Sequence, residues 1–261
     1  MRSTFGLRNV LGAALAGLAL GALAQPAGAL EISKHASDSA EVNAIQLKGK
    51  IEDGDTFDLQ VYISNLPKKP VVVVYLASPG GNLREGMRLG RFFYQNKIET
   101  AVEGKTYCAS SCALAFLGGR EDATGKPHRT KASTAGVGFH SFTREFDKDK
   151  SYTAEDLKLV VQRTQTDVFG LADYLKAVNA DPDVLRLMLR TQATEMNFIS
   201  NEEALSLNIR VWDEKHKKLV DPQIVDRTGS RAAADASAPN GPSPTARTPR
   251  PTASADGRAP S

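Results

Sequence analysis

Two adjacent serines lie where a serine side chain can act as a nucleophile. Ser110 and Ser111 occur in Thr-Tyr-Cys-Ala-Ser-Ser-Cys-Ala-Leu-Ala-Phe-Leu-Gly-Gly, residues 106–119, between a predicted strand at 98–102 and an apolar run that predicts a buried helix. A strand, a tight turn and a helix in this order present a serine hydroxyl outside the edge of a sheet. The free N–H groups of the first helical turn stabilise a developing oxyanion. This pattern indicates attack on an acyl carbon, although serines that merely cap a buried helix give the same local pattern.

A glycine-containing turn lies one strand–turn–helix unit earlier. The β-branched run 71–76 predicts a strand that is buried on both faces of a parallel sheet. It ends in Ser-Pro-Gly-Gly, where Gly80 and Gly81 permit positive φ angles and close approach of the backbone. Asn82 is a preferred cap for the helix that follows. Because ligands of open α/β sheets sit at the carboxyl ends of the strands, both turns are expected at the functional edge.

His140 is the histidine that is best placed to act as a base. Residues 132–139 predict a further strand, and His140 follows directly at its end. A neutral imidazole near pH 7 can accept the proton of a serine hydroxyl. A structural hydrogen bond is the alternative role for a single histidine, but its combination with the two turns favours catalysis. The other histidines lie near the predicted mature N-terminus, in a polar loop and in a lysine-rich stretch: His35, His128 and His216.

Together these segments resemble the proteolytic subunit of the Clp protease, ClpP, of the ClpP/crotonase superfamily, and more closely the periplasmic ClpP-like proteins of bacteria. The resemblance rests on Ser-Pro-Gly-Gly at 78–81, Cys-Ala-Ser-Ser at 108–111 and Val-Gly-Phe-His at 137–140, and it covers residues 45–212. It implies an α/β fold of repeated β-β-α and β-α units with a mostly parallel sheet and helices packed around it.

The resemblance also implies roles for four residues. Ser110 is the nucleophile and His140 is the general base. The N–H groups of Gly81 and Ser111 form the oxyanion hole.

The sequence departs from the family at the acidic residue that orients the histidine. The family has an aspartate where this chain has Met196, in Glu-Met-Asn-Phe-Ile-Ser. Glu195 is the nearest substitute and the expected third member, while Asp167 and Asp173 on a predicted helix are weaker candidates. A Ser–His pair oriented by a backbone carbonyl and an inactive descendant of the family are the alternatives.

Two cysteines, Cys108 and Cys112, flank the serine pair. An even cysteine count in an exported protein predicts a disulfide, and Cα atoms four residues apart on a helix are ~6 Å apart, within the range that a disulfide spans. We expect the bridge to stiffen the serine turn; two small buried hydrophobic residues are the alternative. Two cysteines without a histidine pair do not predict a zinc site, so neither a metal nor a cofactor is expected.

Residues 1–29 predict a signal peptide. Arg2 and Arg8 precede an apolar run, and the final Ala-Gly-Ala has the form of a signal peptidase site. The apolar run is shorter than the ~20 residues of a transmembrane helix, which disfavours an uncleaved anchor. The mature protein is therefore expected in the periplasm or outside the cell, after cleavage near Ala29.

The rest of the chain predicts one domain and a tail. Residues 30–43 are polar and predict an irregular segment, 44–220 carry the ClpP-like domain, and 221–261 are rich in proline, alanine and serine and predict disorder. The 261-residue chain has a formal charge of +3, of which the two arginines of the signal peptide contribute two, so its charge gives no indication of nucleic-acid binding.

The remaining predicted elements alternate between strands and helices, as in α/β folds with right-handed crossovers. They are strands at 44–51 and 207–212, helices at 57–66, 156–178, from 182 onward and at 201–207, and a charged loop at 118–131. In the family, helices inserted near 156–178 mediate packing between subunits, which implies a possible homo-oligomer. Packing of the apolar stripe of this helix on its own sheet is the alternative.

The sequence thus predicts an exported, ClpP-like serine hydrolase that acts on peptides or proteins. ATP is not available outside the cytoplasm, so the peptidase is expected to be ATP-independent and to have no ATPase partner. The alternative is a catalytically inactive binding or assembly module. A crotonase-type acyl-CoA enzyme has the same fold, but export separates it from CoA thioesters.

Overall fold

The computed structural model describes residues 29–143 and 146–222. The predicted signal peptide up to residue 28 and the predicted tail from residue 223 lie outside the described residues, so both remain predictions. In chain order, the elements are β1 (Glu31–Lys34), β2 (Val42–Lys48), α1 (Asp55–Ser64), β3 (Val71–Ala77), α2 (Leu83–Gln95), β4 (Glu99–Val102), β5 (Tyr107–Ala109), α3 (Ser111–Phe116), β6 (Arg129–Ala132), β7 (Gly136–Phe139), α4 (Ala154–Ala177), α5 (Asp183–Arg190), β8 (Asn197–Phe198), α6 (Asn201–Ser206), β9 (Arg210–Asp213) and β10 (Lys218–Val220).

The larger sheet confirms a mixed α/β architecture with mostly parallel strands. Its spatial order is β1-β2-β3-β4-β6-β9-β10, and the strands from β2 to β9 are parallel to one another. β1 and β10 pair antiparallel at the two edges. The valine-rich β3 lies inside this sheet, as its β-branched composition predicts.

The smaller sheet places the functional turns. Its order is β5-β7-β8, with β5 parallel to β7 and β8 antiparallel to β7. An isolated bridge between Ser78 and Cys108 connects the end of β3 to β5. The chain therefore leaves the large sheet after β4 and after β6 to build a second layer of strands.

The predicted loop at 118–131 and the predicted strand at 132–139 have the wrong bounds. Residues 118–131 are not all loop and residues 132–139 are not one strand, because β6 lies in the large sheet and β7 in the small one. Charged residues conceal β6 in the sequence: Arg129 and Lys131 are fully buried. Arg129 donates to backbone carbonyls that follow α3 and α4, and Lys131 donates to a side-chain oxygen of α6.

The polar N-terminal segment also differs from its prediction. Residues 30–43 include β1 and the first residues of β2. β1 pairs with β2, with Glu31 opposite Lys48 at one end and Lys34 opposite Ile45 at the other. A four-residue edge strand with charged ends has too few apolar residues to show a periodic pattern. β10, another short edge strand, escapes prediction for the same reason.

Close packing of α2 against α3 fixes the helix that follows the serine turn. All six residues of α3 are buried. A β-carbon on Gly86 of α2 would collide with the backbone and side chain of Ser111, so only glycine allows the two helices to approach this closely. In the part of the chain that the structure describes, no helix is both long enough and apolar enough to cross a membrane.

Candidate active site

The turn that joins β5 to α3 holds Ser110 in an unusual backbone conformation. Its φ is 58° and its ψ is −126°. Few non-glycine residues adopt such angles, which cost about 1–3 kcal/mol and persist only where the surrounding structure imposes them. The Ser110 N–H donates to the carbonyl oxygen of Gly138 in β7 at 2.9 Å. This is the strand–turn–helix geometry that exposes a serine hydroxyl at the end of a strand.

Ser110 and His140 are brought together by the pairing of β5 with β7. The parallel register sets Ala109 opposite Gly138, so both chains leave the sheet side by side. The hydroxyl oxygen of Ser110 lies 2.8 Å from Nε2 of His140. The two residues that the sequence predicts as nucleophile and base are therefore in direct hydrogen-bond contact.

The second ring nitrogen of His140 identifies its tautomer. Nδ1 lies 3.1 Å from the carbonyl oxygen of Ala193. Because a carbonyl oxygen only accepts, this bond assigns the proton of the neutral ring to Nδ1. Nε2 then has its lone pair free to accept the Ser110 O–H, as a general base requires.

The Ala193 carbonyl belongs to a loop between α5 and β8 that is held by further backbone bonds. The Ser141 N–H donates to the Thr191 oxygen at 3.1 Å, which links this loop to the residue after His140. Within the loop, the Glu195 N–H donates to the Gln192 oxygen at 3.0 Å. The imidazole is thus oriented by main-chain structure.

The acidic residue expected as the third member lies elsewhere. Both ring nitrogens of His140 have partners, and the Nδ1 partner is Ala193 rather than Glu195. Glu195 is exposed. Glu195 and Met196 lie before the first residue of β8, Asn197, which pairs with Phe139.

The two weaker acidic candidates lie on α4. Asp167 forms an ion pair with Arg84 of α2 at 3.1 Å, and Asp173 is exposed. Neither is the Nδ1 partner of His140.

The glycine turn contacts the serine turn directly. A β-carbon on Gly80 would lie 2.6 Å from the oxygen of Ala109, 2.7 Å from the β-carbon of Ser110 and 3.0 Å from the nitrogen of Ser111. Gly80 has a φ of 95°, so glycine is required here for its backbone angle as well as for space. The structure thus brings together the two turns that the sequence analysis singled out.

Ser78 links these two turns through hydrogen bonds. Its N–H donates to Tyr107 and its carbonyl accepts from Ala109, both at 3.0 Å, which pairs it with β5. Its buried hydroxyl accepts the Gly80 N–H at 3.0 Å. No role for Ser78 was predicted, although a serine two residues before a glycine is a recognisable turn signal. The role of the Ala193 carbonyl has no sequence signal, because every residue type has a backbone carbonyl.

The N–H groups predicted to form the oxyanion hole belong to these same turns. Ser111 is the first residue of α3, where an N–H group has no intrahelical acceptor. Ile51 pairs with the glycine turn through the Gly80 oxygen at 2.9 Å and the Asn82 N–H at 2.8 Å. The Gly81 N–H takes no part in that pairing.

Buried carboxylates support the loop that pairs with the glycine turn. Asp55 accepts the Glu52 N–H at 2.7 Å, and burial is the main cause that raises the pKa of Asp55. Burial alone would raise the pKa of Glu85, but hydrogen bonds from Thr56 and Arg88 outweigh it and lower that pKa.

Among the described residues, no group of three or more histidine, cysteine, aspartate or glutamate side chains is arranged to hold a metal ion.

Cys108 and Cys112 are joined by a disulfide, as predicted, with Cα atoms 5.2 Å apart. Both residues are fully buried. The geometry assumed from the sequence is corrected in one respect: Cys108 lies in β5 and Cys112 in α3, so the bridge spans the turn instead of one helical turn. A disulfide is compatible with a location outside the cytoplasm.

The chain matches no protein-family model searched and no curated protein searched. The function proposed below therefore depends on the arrangement of Ser110, His140 and the two turns.

Proposed function

We propose that the protein is a serine hydrolase, and specifically an ATP-independent, ClpP-like peptidase that acts outside the cytoplasm. The observation that carries the proposal is the 2.8 Å contact between Ser110 Oγ and His140 Nε2, with Nδ1 bonded to Ala193. The likeness of three sequence segments to ClpP supports a peptide or protein as the substrate.

The arrangement fits acylation and deacylation by a Ser–His pair. Ser110 Oγ attacks the acyl carbon while His140 Nε2 takes the hydroxyl proton. The N–H groups of Gly81 and Ser111 donate to the resulting oxyanion. His140 then gives its proton to the leaving amine. It later removes a proton from the water that attacks the acyl group, and it returns this proton to Ser110 Oγ as the acid product leaves. The imidazolium formed in each step keeps its Nδ1–H on the Ala193 carbonyl.

The missing carboxylate favours a second candidate function. Met196 directly precedes β8, whose Asn197 pairs with Phe139, and its neutral thioether cannot stabilise an imidazolium by charge. A ClpP-like module that binds peptides without cleaving them would retain both turns and lose only the chemistry.

Reaction with a fluorophosphonate probe distinguishes the two candidates. We expect the purified protein to be labelled at Ser110, as located by peptide mass spectrometry, and Ser110→Ala and His140→Ala to abolish labelling. Ser64→Ala on α1 and His216→Ala after β9 are matched controls that should label at the wild-type rate. A folded, oxidised wild-type protein that does not react would contradict the hydrolase and favour the binding module.

We also propose that the protein forms a homo-oligomer through α4. The first two thirds of this helix expose apolar side chains, with Leu157, Val161 and Phe169 exposed by 48%, 56% and 67%. Only its C-terminal third supplies buried residues, among them Leu171 and Leu175. A second subunit would cover the exposed stripe.

A further inference from the structure

The disulfide encloses the turn that carries Ser110. It links the middle residue of β5 to the second residue of α3, and just three residues separate the two cysteines. We infer that the Cys108–Cys112 disulfide is the positioning element for the Ser110 hydroxyl, so that the chain becomes reactive only when this bond has formed. The inference rests on the proposed function and adds that the hydrolase requires its disulfide to be formed.

The backbone of Ser110 needs such a constraint. With a φ of 58°, Ser110 would relax towards negative φ if the two sides of the turn were free to separate. Its N–H bond to Gly138 is of ordinary length at 2.9 Å, but the bond that its carbonyl accepts from Leu114 is long at 3.3 Å. The backbone of Ser110 is therefore bonded more closely to β7 than to α3.

The helix side is where the disulfide acts. α3 has six residues and depends on tertiary contacts, of which its packing against α2 at Gly86 is one and the disulfide is another. On the other side, β5 is fixed by the bonds of Tyr107 and Ala109 to Ser78. The bridge attaches the first turn of α3 to this fixed strand, and it thereby sets the direction in which the Ser110 hydroxyl and the Ser111 N–H point.

The bond changes by thiol–disulfide exchange. A disulfide oxidant accepts two electrons and two protons from the Cys108 and Cys112 thiols, the sulfur–sulfur bond forms, and the oxidant is reduced to two thiols. A dithiol reductant reverses the reaction. Both cysteines are fully buried, so a reductant cannot reach the sulfurs while the turn is closed. The bridge therefore acts as a single activating step that follows synthesis, and a chain with free thiols is inactive.

The test removes the bridge and measures both reactivity and position. We expect C108A/C112A to keep the far-UV circular dichroism of the wild type and to label at Ser110 at least about tenfold more slowly, equivalent to about 1.4 kcal/mol in the activation barrier. The second readout is the ¹⁵N chemical shift of His140 Nε2 at fixed pH. It should move towards the value of S110A, in which the hydroxyl donor is absent. Ala115→Gly, a buried change in α3 that leaves the bridge intact, should keep the wild-type rate and shift.

Three results overturn or support the inference. Equal labelling rates and equal His140 shifts with and without the bridge overturn it. If the oxidised wild type is not labelled at all, the proposed hydrolase fails, but the His140 shift still decides whether the bridge positions Ser110. If C108A/C112A does not fold, the wild type is refolded with a dithiol and its free thiols are counted by intact mass after alkylation. A folded chain with two labelled thiols and an unchanged rate would then overturn the inference.

Discussion

The sulfur of Met196 lies over the α-carbon of Gly138, at 2.8 Å from the point where a β-carbon would stand. Met196 directly precedes β8, whose Asn197 pairs with Phe139, so Met196 and His140 are the residues next to this pair. This chain has an apolar group there and relies on the Ala193 carbonyl instead.

Met196→Asp should therefore increase the reactivity of Ser110. A carboxylate beside His140 stabilises the imidazolium that forms when the serine loses its proton. We expect a gain of about tenfold in the rate of fluorophosphonate labelling, below the range that positioned acid–base groups usually contribute. The rate is measured at several pH values with the same protein preparation.

Glu195→Gln is the matched control for this substitution. Glu195 is the residue before Met196, and it is exposed. Its removal should change the labelling rate by less than about twofold, as for ordinary surface substitutions. A large loss in Glu195→Gln would instead show that this carboxylate reaches His140 in solution.

Gly80→Ala should abolish labelling with the fold retained. The added β-carbon would come within 2.7 Å of the β-carbon of Ser110, which must then shift. A displacement of about 1 Å in a reacting group costs on the order of 100-fold in rate. Labelling kinetics measure the reactivity of Ser110 in the variant, and circular dichroism measures whether its fold is retained.

Gly54→Ala is the control that has the strain of a positive φ angle but not the steric collision expected in Gly80→Ala. Gly54 has a φ of 105°, close to the 95° of Gly80, but a β-carbon there would meet no atom within 4 Å. We expect Gly54→Ala to lose about 1 kcal/mol of stability from its positive φ and to keep the wild-type labelling rate. Equal rates in both alanine variants would contradict the contact between the two turns.

Asp38 should make the attachment of β1 depend on pH. Hydrogen bonds from Lys34 and then Lys69 lower the pKa of the Asp38 carboxyl from its usual 3.8 to about 2. A carboxyl with a lowered pKa stabilises the fold above its unfolded pKa, and this contribution is lost as the pH falls towards the folded value. The Tm of Asp38→Asn should lie below that of the wild type at pH 7, and the difference should shrink below about pH 4 and disappear near pH 2.

Asp53→Asn is the control for this pH dependence. Asp53 also has a cationic partner, Arg88, at 2.7 Å, but both side chains are largely exposed. Exposed pairs contribute little to stability, so its Tm should follow the wild type at every pH. A constant Tm difference for Asp38→Asn down to pH 2 would show that its effect is not electrostatic.

Polar substitutions on α4 should reduce the molar mass of the proposed oligomer. Leu157→Ser combined with Val161→Ser removes apolar area that a second subunit would cover, whereas Glu155→Ser on the same helix serves as the control. Light scattering coupled to size-exclusion chromatography measures the mass of each. A wild type that stays monomeric over the accessible concentration range would exclude an oligomer through this helix.

The sequence predicts the two turns well because their residue types are determined by local backbone geometry. Gly80 and Ser110 follow strands of buried, apolar composition, and parallel strands bring their carboxyl ends together. The proximity of Ser110 to His140 arises from the pairing of β5 with β7 in the small sheet, which was not predicted, because the strand expected before Ser110 was 98–102. β6 was also missed, because Arg129 and Lys131 read as loop residues.

Orientation of His140 by a backbone carbonyl was one of the alternatives, but the sequence could not identify which carbonyl. Its partner is a backbone carbonyl, which any residue supplies, and Ala193 carries no distinguishing side chain. The disulfide was predicted as a pair, but its placement across the turn depends on where β5 ends and α3 begins, a boundary that composition defines poorly.

The position of β9 determines when the protein can finish folding during its synthesis. β9 is near the C-terminal end of the described chain, yet it pairs inside the large sheet between β6 and β10. Ala193, which orients His140, likewise follows Ser110 by more than eighty residues. Such long-range pairings form slowly and require the distant segment to have left the ribosome. A nascent chain that has passed only the serine turn therefore cannot place Ala193 against His140, so the arrangement of Ser110 and His140 is completed only after the C-terminal part of the domain has been made.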